Sequence, residues 1–318
     1  MPRAQAPRPP RGAEAPDDAA RGGARHEGST VTAVAELFGT TFRHRVLAAS
    51  GTCGFGEPLV DVMHPSRIGG LVTKSVTVEP RWGNPAPRVA EYPGGMLNSV
   101  GLANPGLNAV VEVKLPWIRR HLAGLPVFVS VAGARAEEYA EVVAGTDGER
   151  GFLGYELNLS CPNDSHLGGR PFCLDPAALA EVLDGVRPLT SRPILVKLAP
   201  NDPDIGATAA LAAAHGADGI TAINTVPGFL GDGDGGARLG AGRGGTSGPA
   251  LLPVGLAAVR EIAAAVEVPV IGVGGILTAA DARAYFDAGA SLVQIGTASF
   301  ADPRCAARVT RDLDVFAG

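Results

Sequence analysis

Short apolar runs rich in β-branched residues recur along the chain, and eight of them stand out. They are Val46–Ala49, Leu71–Lys74, Val127–Val131, Gly154–Leu159, Ile194–Leu198, Gly219–Ile223, Val270–Val273 and Leu292–Ile295. Continuous apolar runs of this length are typical of parallel strands that are covered on both faces. The pattern therefore predicts eight buried parallel strands.

Helical stretches with recognisable ends separate most of these strands. The predicted starts are Asp175-Pro176, Asp202-Pro203 and Asp302-Pro303, with a capping box of Thr278 and Asp281 before another helix. In each Asp-Pro pair an acidic N-cap precedes a proline at the first helical position. Gly216 and Gly289 stand where two helices should end, because glycine tolerates the left-handed conformation of a helix C-terminus.

Eight strands alternating with helices predict an α/β protein built as one closed (β/α)8 TIM barrel. A doubly wound open sheet is the alternative, but no G-x-G-x-x-G follows the first strand. Val31–Leu37 and Thr41–Ala48 flank Gly39 and predict a short N-terminal hairpin that leads into the barrel. We expect residues 30–318 to form this single domain.

Residues 1–29 have a different composition, rich in Pro, Arg and Gly and poor in large apolar residues. Such a segment cannot bury enough apolar surface to offset the entropy of ordering it. A basic membrane-targeting helix is the alternative, but the prolines interrupt it and no apolar face of Leu, Ile or Phe is present. We therefore predict a disordered tail.

Composition excludes several classes of function. The net charge of −5 provides no basic field for nucleic acid or an anionic membrane, and aromatic residues make up only 5%. No apolar run approaches the roughly 18 residues that a membrane span needs. The four cysteines form no C-x-x-C pair and the six histidines show no ligand spacing, so we predict a reduced, cytoplasmic chain without a metal site.

Polar residues and glycines follow the predicted strands directly. They are Ser50-Gly51, Lys74-Ser75, Ser130, Asn158 with Ser160 and Cys161, Lys197, Asn224-Thr225, Gly274-Gly275 and Gly296-Thr297. The carboxyl ends of barrel strands meet at one mouth, where the catalytic residues of such enzymes lie. We expect these side chains to converge there, although polar residues are also ordinary in loops.

The glycines after the seventh and eighth strands predict a ligand that carries a phosphate. Backbone N–H groups at these two positions commonly hold phosphate in barrels, and glycine lets the backbone approach an anion closely. Turn geometry alone is the alternative for either glycine site taken singly.

Lys197 lies inside a nearly continuous apolar strand, where a lysine is costly unless it pairs with an anion or forms an imine. Two roles stay open: an imine-forming lysine of an aldolase-like enzyme, or a cation that lies against an electron-rich cofactor. Periodicity does not separate them.

Cys161, in the segment NLSCPN, is the leading candidate for a reactive thiol. A lone cysteine is more often inert packing, but here a proline turns the chain and two asparagines flank the thiol. Cys53 also follows a strand and is a weaker candidate. Cys173 and Cys305 are interpreted as structural.

Taken together, these motifs resemble a known family. NLSCPN (158–163) and GMLNSVGL (95–102) occur with SGTCGFG (50–56), VKLAP (196–200) and GVGGI (272–276) in the order found in class 1 dihydroorotate dehydrogenases. The resemblance runs from Val46 to the C-terminus. The cysteine within NLSCPN resembles the class 1 enzymes, because the membrane-bound class 2 enzymes carry serine at this position. The stretch from Gly83 to Gly106 resembles the NAD-linked subclass 1B.

The resemblance implies oxidation of (S)-dihydroorotate to orotate in de novo pyrimidine (UMP) biosynthesis, with hydride transfer to FMN. Cys161 is then the general base, and Lys197 lies at the flavin. The implied FMN contacts are Ser50, Lys74, Ser75, Ser130, Asn158, Lys197, Ile223, Gly248, Gly274, Gly275, Gly296 and Thr297. The implied substrate contacts are Lys74, Asn98, Ser99, Val100, Gly101, Leu102, Asn158, Asn163, Asn224 and Thr225. The family usually has asparagine where this chain has Ser130, so that flavin contact is direct, water-bridged or lost.

The resemblance also implies a homodimer and an electron-transfer subunit that carries FAD and a 2Fe–2S cluster, although fumarate or another acceptor stays open. Three alternatives remain beside it. One is the pyrimidine-reducing barrel of dihydropyrimidine dehydrogenase, whose chains bring iron–sulfur cysteines that are missing here. The others are a lyase with Lys197 as an imine and a non-catalytic binder of a phosphate ligand.

Overall fold

The computed structural model describes residues 34–160 and 171–315. The chain divides into residues 1–30 and residues 31–318. The tail expected over residues 1–29 lies outside the described residues, so its disorder stays a prediction, as does the extent of the single domain.

Within the described residues, fourteen strands form. In chain order they are β1 (Ala35–Leu37), β2 (Thr40–Phe42), β3 (Val46–Ala48), β4 (Gly70–Val72), β5 (Val89–Tyr92), β6 (Gly95–Asn98), β7 (Val127–Val131), β8 (Gly154–Asn158), β9 (Ile194–Lys197), β10 (Gly219–Ala222), β11 (Val226–Phe229), β12 (Arg243–Ser247), β13 (Val270–Val273) and β14 (Leu292–Ile295).

The helices of the described part are α1 (Glu57–Val62), α2 (Gly106–Ala109), α3 (Leu115–His121), α4 (Ala136–Asp147), α5 (Pro176–Val186), α6 (Ile205–Ala214), α7 (Leu252–Ala265), α8 (Ala279–Asp287), α9 (Ala298–Ala301) and α10 (Cys305–Val315). A π-helical turn, Val110–Lys114, joins α2 to α3. None of these described helices is long and apolar enough to cross a bilayer.

Strands β3, β4, β7, β8, β9, β10, β13 and β14 close into a parallel barrel in which chain order is also spatial order. This confirms the predicted (β/α)8 TIM barrel and all eight predicted strands. The largest shift is in the second strand, which is Gly70–Val72 rather than Leu71–Lys74. The hairpin is confirmed as β1 paired with β2, and its second arm ends at Phe42, ahead of the first barrel strand.

Two helix starts differ from the sequence prediction. Helix α6 begins at Ile205 because Asp204, not Asp202, accepts a hydrogen bond from Ala207 N. Helix α10 begins at Cys305, and the Asp302 carboxylate instead accepts from the backbone N–H of Arg304. In both cases the residues after the Asp-Pro pair form a turn before the helix starts.

The other predicted helix ends are confirmed. The Asp175 side chain caps α5, and the capping box at the start of α8 forms with Thr278 and Asp281. Gly216 and Gly289 follow the ends of α6 and α8 with positive φ. These local signals were readable because each is satisfied within a few residues of chain.

An antiparallel sheet, with strand order β11-β12-β6-β5, was not predicted from the sequence. It joins the loop after β4 to the loop after β10, and Asn98 on β6 lies opposite Gly245 on β12. Both loops follow barrel strands, so the sheet lies at the carboxyl-end mouth of the barrel.

The barrel interior changes from apolar to polar along its axis. A buried apolar layer of inward side chains lies at the amino ends of the strands: Leu47, Val72, Phe128, Leu195, Ile271 and Leu292. Phe42 of the hairpin packs on this layer, with its ring stacked 6.5 Å from that of Phe128. The hairpin therefore closes one end of the barrel, and the opposite end is left for ligands.

Candidate active site

A cavity of about 540 Å³ opens at the carboxyl ends of the barrel strands. The antiparallel sheet supplies one wall, with residues such as Met96, Asn98, Pro227 and Gly245. The loops after the strands supply the rest. Because side chains alternate along a strand, the last inward position of each strand points toward this space.

The structure brings most of the predicted site residues to this one cavity. Its lining includes Ser50, Lys74, Ser75, Asn158, Lys197, Ile223, Gly248, Gly274, Gly275, Gly296 and Thr297 from the predicted cofactor contacts. From the predicted substrate contacts it includes Asn98, Val100, Gly101, Leu102, Asn224 and Thr225. Cys161 and Asn163 lie outside the described residues.

Ser99 and Ser130 are the described exceptions, since neither lines the cavity. Ser99 is buried and its hydroxyl accepts a hydrogen bond from Asn84 Nδ2 at 2.7 Å. Ser130 is fully buried, and its hydroxyl lies 2.9 Å from that of Ser75. Ser130 therefore reaches the cavity through Ser75, not directly.

The hydroxyls and amides at the end of β8 form a continuous network. Asn158 Nδ2 donates to Ser75 Oγ at 3.3 Å, and Ser160 Oγ donates to Asn158 Oδ1 at 3.2 Å. Asn224 Nδ2 donates to Ser160 Oγ at 2.8 Å. The loops after three strands are thus joined by side chains, which holds Asn158 and Asn224 in one orientation toward the cavity. Cys161 follows Ser160 directly in the sequence.

Lys197 is 5% exposed at the floor of the cavity and pairs with a buried carboxylate. Its Nζ lies 3.8 Å from Oε1 of Glu156, which is fully buried inside the barrel. The other carboxylate oxygen accepts from Thr221 Oγ1 at 3.0 Å and from Gln294 Nε2 at 2.8 Å. These partners fix the position of the Glu156 carboxylate, whose Oε1 faces Lys197 and accepts no hydrogen bond within the described residues.

Glu156 and Gln294 were not singled out from the sequence, although a signal was present. Each is a polar residue inside an apolar run, two positions before a predicted site residue, Asn158 or Gly296. Period-two alternation puts such pairs on the same inward face. Gln294 also lines the cavity, and its Oε1 is buried without a hydrogen bond within the described part of the chain.

The charged side chains that line the cavity are all cations. They are Lys74, Lys197 and Arg243, and no Asp or Glu is among the described lining residues. The chain as a whole carries a net charge of −5. Glu156 beneath the floor offsets part of the charge of Lys197, and the cations that remain at the lining favour a ligand of opposite sign. The cavity is therefore suited to an anionic ligand.

The glycines at the mouth have two different explanations. Gly274 and Gly275 have φ of 127° and 74°, and a Cβ on Gly275 would lie 2.5 Å from the backbone N of Leu252. Turn geometry alone requires glycine at both. Gly296 has no positive φ, and a Cβ there would make only ordinary contact with Ala49 Cβ at 3.6 Å. At Gly296 the fold tolerates a side chain, so the absence of one keeps the cavity open.

The three described cysteines are unsuited to act as a thiolate. Cys53, Cys173 and Cys305 are buried, and none lines the cavity. Burial raises the pKa of all three thiols, that of Cys173 to about 12. The buried positions of Cys173 and Cys305 away from the cavity agree with a structural role. Cys161 remains the candidate base.

The family model "Dihydroorotate dehydrogenase" matches residues 32–316. The catalytic subunit of a dihydroorotate dehydrogenase B (NAD(+)) from Geobacter sp. (strain M21) is 43% identical over 279 residues, covering 87% of this chain and 90% of that protein. Its counterpart from Desulforudis audaxviator is 44% identical, covering 90% and 92%. A putative dihydroorotate dehydrogenase A (fumarate) from Solibacter usitatus is 45% identical, covering 88% and 91%.

The family match includes every barrel strand and both loops that build the antiparallel sheet. The relatives are 43–45% identical to this chain and cover 87–90% of it. This chain belongs to the dihydroorotate dehydrogenase family, whose members are flavin-dependent oxidoreductases.

Proposed function

We propose that this chain oxidises (S)-dihydroorotate to orotate with FMN as the hydride acceptor, in de novo pyrimidine (UMP) biosynthesis. The observation that carries the proposal is the cavity itself. It is lined by lysines, an arginine, amides and glycines, and no acid is among its described lining residues. Both the substrate, a carboxylate, and the cofactor, a phosphate ester, are anions.

The described residues fit FMN in two respects. Backbone N–H groups of Gly274, Gly275, Gly296 and Thr297 would hold the phosphate, because the glycines leave the backbone uncovered there. At the other side, Lys197 would lie beside the ring edge where electron density rises on reduction. When bound, FMN supplies an acceptor for a hydride, which the side chains of this chain lack.

The substrate would lie between the ring and the antiparallel sheet. Lys74 would pair with its carboxylate, while Asn98, Asn224 and Thr225 line the same space with amides and a hydroxyl. Asn and Gln amides both donate and accept, which matches the alternating N–H and C=O groups of a dihydropyrimidine ring. The network from Asn224 through Ser160 would keep one donor–acceptor order facing the ring.

We propose Cys161 as the general base. As a thiolate it would take the proton from C5 while a hydride leaves C6, and the C5=C6 double bond forms between them. One proton and one hydride leave dihydroorotate, so the product is orotate. A thiol has a reference pKa near 8.5, so activity should rise with pH through the titration of this group.

Two partners belong to the same proposal. Several relatives are named as the catalytic subunit of an NAD(+) enzyme, which supports an electron-transfer subunit carrying FAD and a 2Fe–2S cluster. Another relative of similar identity is named a fumarate enzyme, so reoxidation of the reduced protein by fumarate is the direct comparison. A homodimer core stays a prediction, checked by light scattering.

The test is the visible spectrum of the purified protein, followed by anaerobic addition of dihydroorotate. We expect flavin bands that bleach with dihydroorotate and persist with dihydrouracil. Bleaching by dihydrouracil instead would favour the dihydropyrimidine dehydrogenase reading. A colourless protein that borohydride traps on Lys197 with a carbonyl substrate would favour the lyase and contradict the proposal.

A further inference from the structure

We propose that Arg243 is a specificity-determining residue that recognises the carboxylate of the substrate at the entrance of the cavity. The inference rests on the proposed function and extends it. It adds Arg243 to the proposed substrate contacts, which so far are Lys74 and the amide side chains. Arg243 is exposed and lines the cavity. Its guanidinium makes no hydrogen bond or ion pair with any side chain or backbone group of residues 34–160 and 171–315.

The register of β12 determines which face Arg243 shares. Arg243, Gly245 and Ser247 share one face of the strand and line the cavity, as does Gly244, which carries no side chain, whereas Thr246 on the other face does not. Exposure decreases in the same order, from exposed Arg243 to buried Gly245 and Ser247. The arginine therefore stands at the outer end of a strand whose inner end forms the cavity wall.

Two glycines next to Arg243 let β12 pack closely against the proposed substrate-binding residues Asn98 and Thr225. A side chain at Gly244 would clash with the carbonyl of Asn98, and one at Gly245 would clash with Thr225 Oγ1. Asn98 Nδ2 also donates to the carbonyl of Gly245 at 3.2 Å. Arg243 is two residues, roughly 7 Å, from the point where β12 contacts both proposed substrate-binding residues.

The position of Arg243 on β12 indicates that it binds the carboxylate of the substrate and not the phosphate of the cofactor. Gly248, at the inner end, is followed by the segment that contacts Gly275, where the phosphate is proposed to bind. Arg243 lies at the other end, roughly 16 Å away along an extended chain. A planar guanidinium with five N–H donors matches a carboxylate in two parallel hydrogen bonds.

The chain offers a matched control, Arg238. It lies in the connection that leads into β12 and is exposed, but it does not line the cavity, and its Nη1 donates to the carbonyl of Glu91 at 2.9 Å. Arg238→Ala and Arg243→Ala remove the same charge from the same part of the surface. Any difference between them is therefore a difference of position.

The experiment measures orotate binding to the oxidised protein by perturbation of its visible spectrum, beside the KM and limiting rate of bleaching by dihydroorotate. We expect Arg243→Ala to raise the Kd of orotate and the KM by about tenfold, with a much smaller fall in the limiting rate, and to flatten their salt dependence. Arg243→Lys should recover part of the affinity. Arg238→Ala should stay within about twofold of the parent on every reading.

Equal Kd and KM values for Arg243→Ala and Arg238→Ala, with the parent active, would overturn the role of Arg243 and leave the proposed function standing. A parent protein that is neither perturbed by orotate nor bleached by dihydroorotate contradicts the proposed function and this inference with it. Because the Arg243 side chain is exposed, its replacement should not alter the unfolding midpoint, which is checked in parallel.

Discussion

Glu156 shows how single residues make this site costly to change. It is a fully buried carboxylate with one lysine and two neutral donors around it, all from different strands. Removing one charge of such a pair leaves the other buried without compensation. The effect of a substitution here therefore depends more on the unpaired buried charge that remains than on the interaction that is removed.

Lys197→Met should lower the free energy of unfolding by about 3 kcal/mol, because the carboxylate of Glu156 is then buried without its cation. Adding Glu156→Gln removes the second charge and keeps acceptors for Thr221 and Gln294. We expect the double variant to be more stable than Lys197→Met alone, in denaturant titrations. Two losses that simply add would show that the pair is not coupled.

Gly296→Ala should fold like the parent and bind FMN about tenfold more weakly. The added Cβ meets nothing closer than 3.6 Å in the protein, yet it enters the space assigned to the phosphate. The control is Gly148→Ala, where a Cβ meets nothing within 4 Å and which does not line the active-site cavity. Flavin-to-protein ratio and apoprotein melting are the readings; unchanged flavin affinity contradicts the assignment of Gly296.

The native protein should expose one reactive thiol near neutral pH. Burial raises the pKa of Cys53, Cys173 and Cys305, so each is almost wholly protonated at pH 7 and its thiolate fraction increases only at higher pH. We expect a disulfide reagent to titrate one thiol in the native state, four in urea and none in native Cys161→Ser. Fast labelling that persists in Cys161→Ser would place the reactive thiol elsewhere.

The site residues at strand ends were predictable, because the carboxyl ends of all barrel strands lie on the same side of the barrel. Ser50, Lys197 and Thr225 each follow or end a strand that is legible in the sequence, and all line one cavity. The inward position of Glu156 was legible in the sequence, but its pairing was not, because its partners come from β9, β10 and β14. Whether Ser130 faces the ligand was also beyond the sequence, since its contact with Ser75 depends on packing between strands.

At the scale of elements, local signals were readable and remote pairing was not. The capping box of α8 and the buried run of β7 are complete within a few residues. The antiparallel sheet depends instead on pairing Asn98 with Gly245, and its strands are short, partly exposed and interrupted by glycine and proline. Pro227 lies on edge strand β11, where a missing N–H does least harm.

The hairpin makes a separable contribution to stability. Phe42 is fully buried against Phe128 at the end of the barrel opposite the cavity. Phe42→Ala should cost about 3–5 kcal/mol of unfolding free energy, because it leaves a cavity under the barrel floor. The KM for dihydroorotate should stay within about twofold of the parent. A large change in KM without loss of stability would contradict the claim that the hairpin end of the barrel contributes stability and the opposite end binds the substrate.

At the scale of the whole molecule, the sequence divides into a barrel and a segment of different composition. Residues 1–29 carry too few large apolar side chains to form a core of their own. Deleting residues 2–29 should therefore leave the unfolding midpoint, the flavin content and the rate of bleaching unchanged. A clear drop in any of the three would show that the segment belongs to the folded domain.

Cys161 is the proposed general base, and its role is tested most directly by mixing the oxidised protein anaerobically with dihydroorotate in a stopped-flow instrument. We expect Cys161→Ser to be a yellow protein. The rate of its flavin reduction by dihydroorotate should be roughly 100-fold lower than in the parent, because proton removal from C5 loses its base. The matched control, Cys305→Ser on helix α10, should bleach at the parent rate. Parent-like reduction in Cys161→Ser would contradict the proposed mechanism.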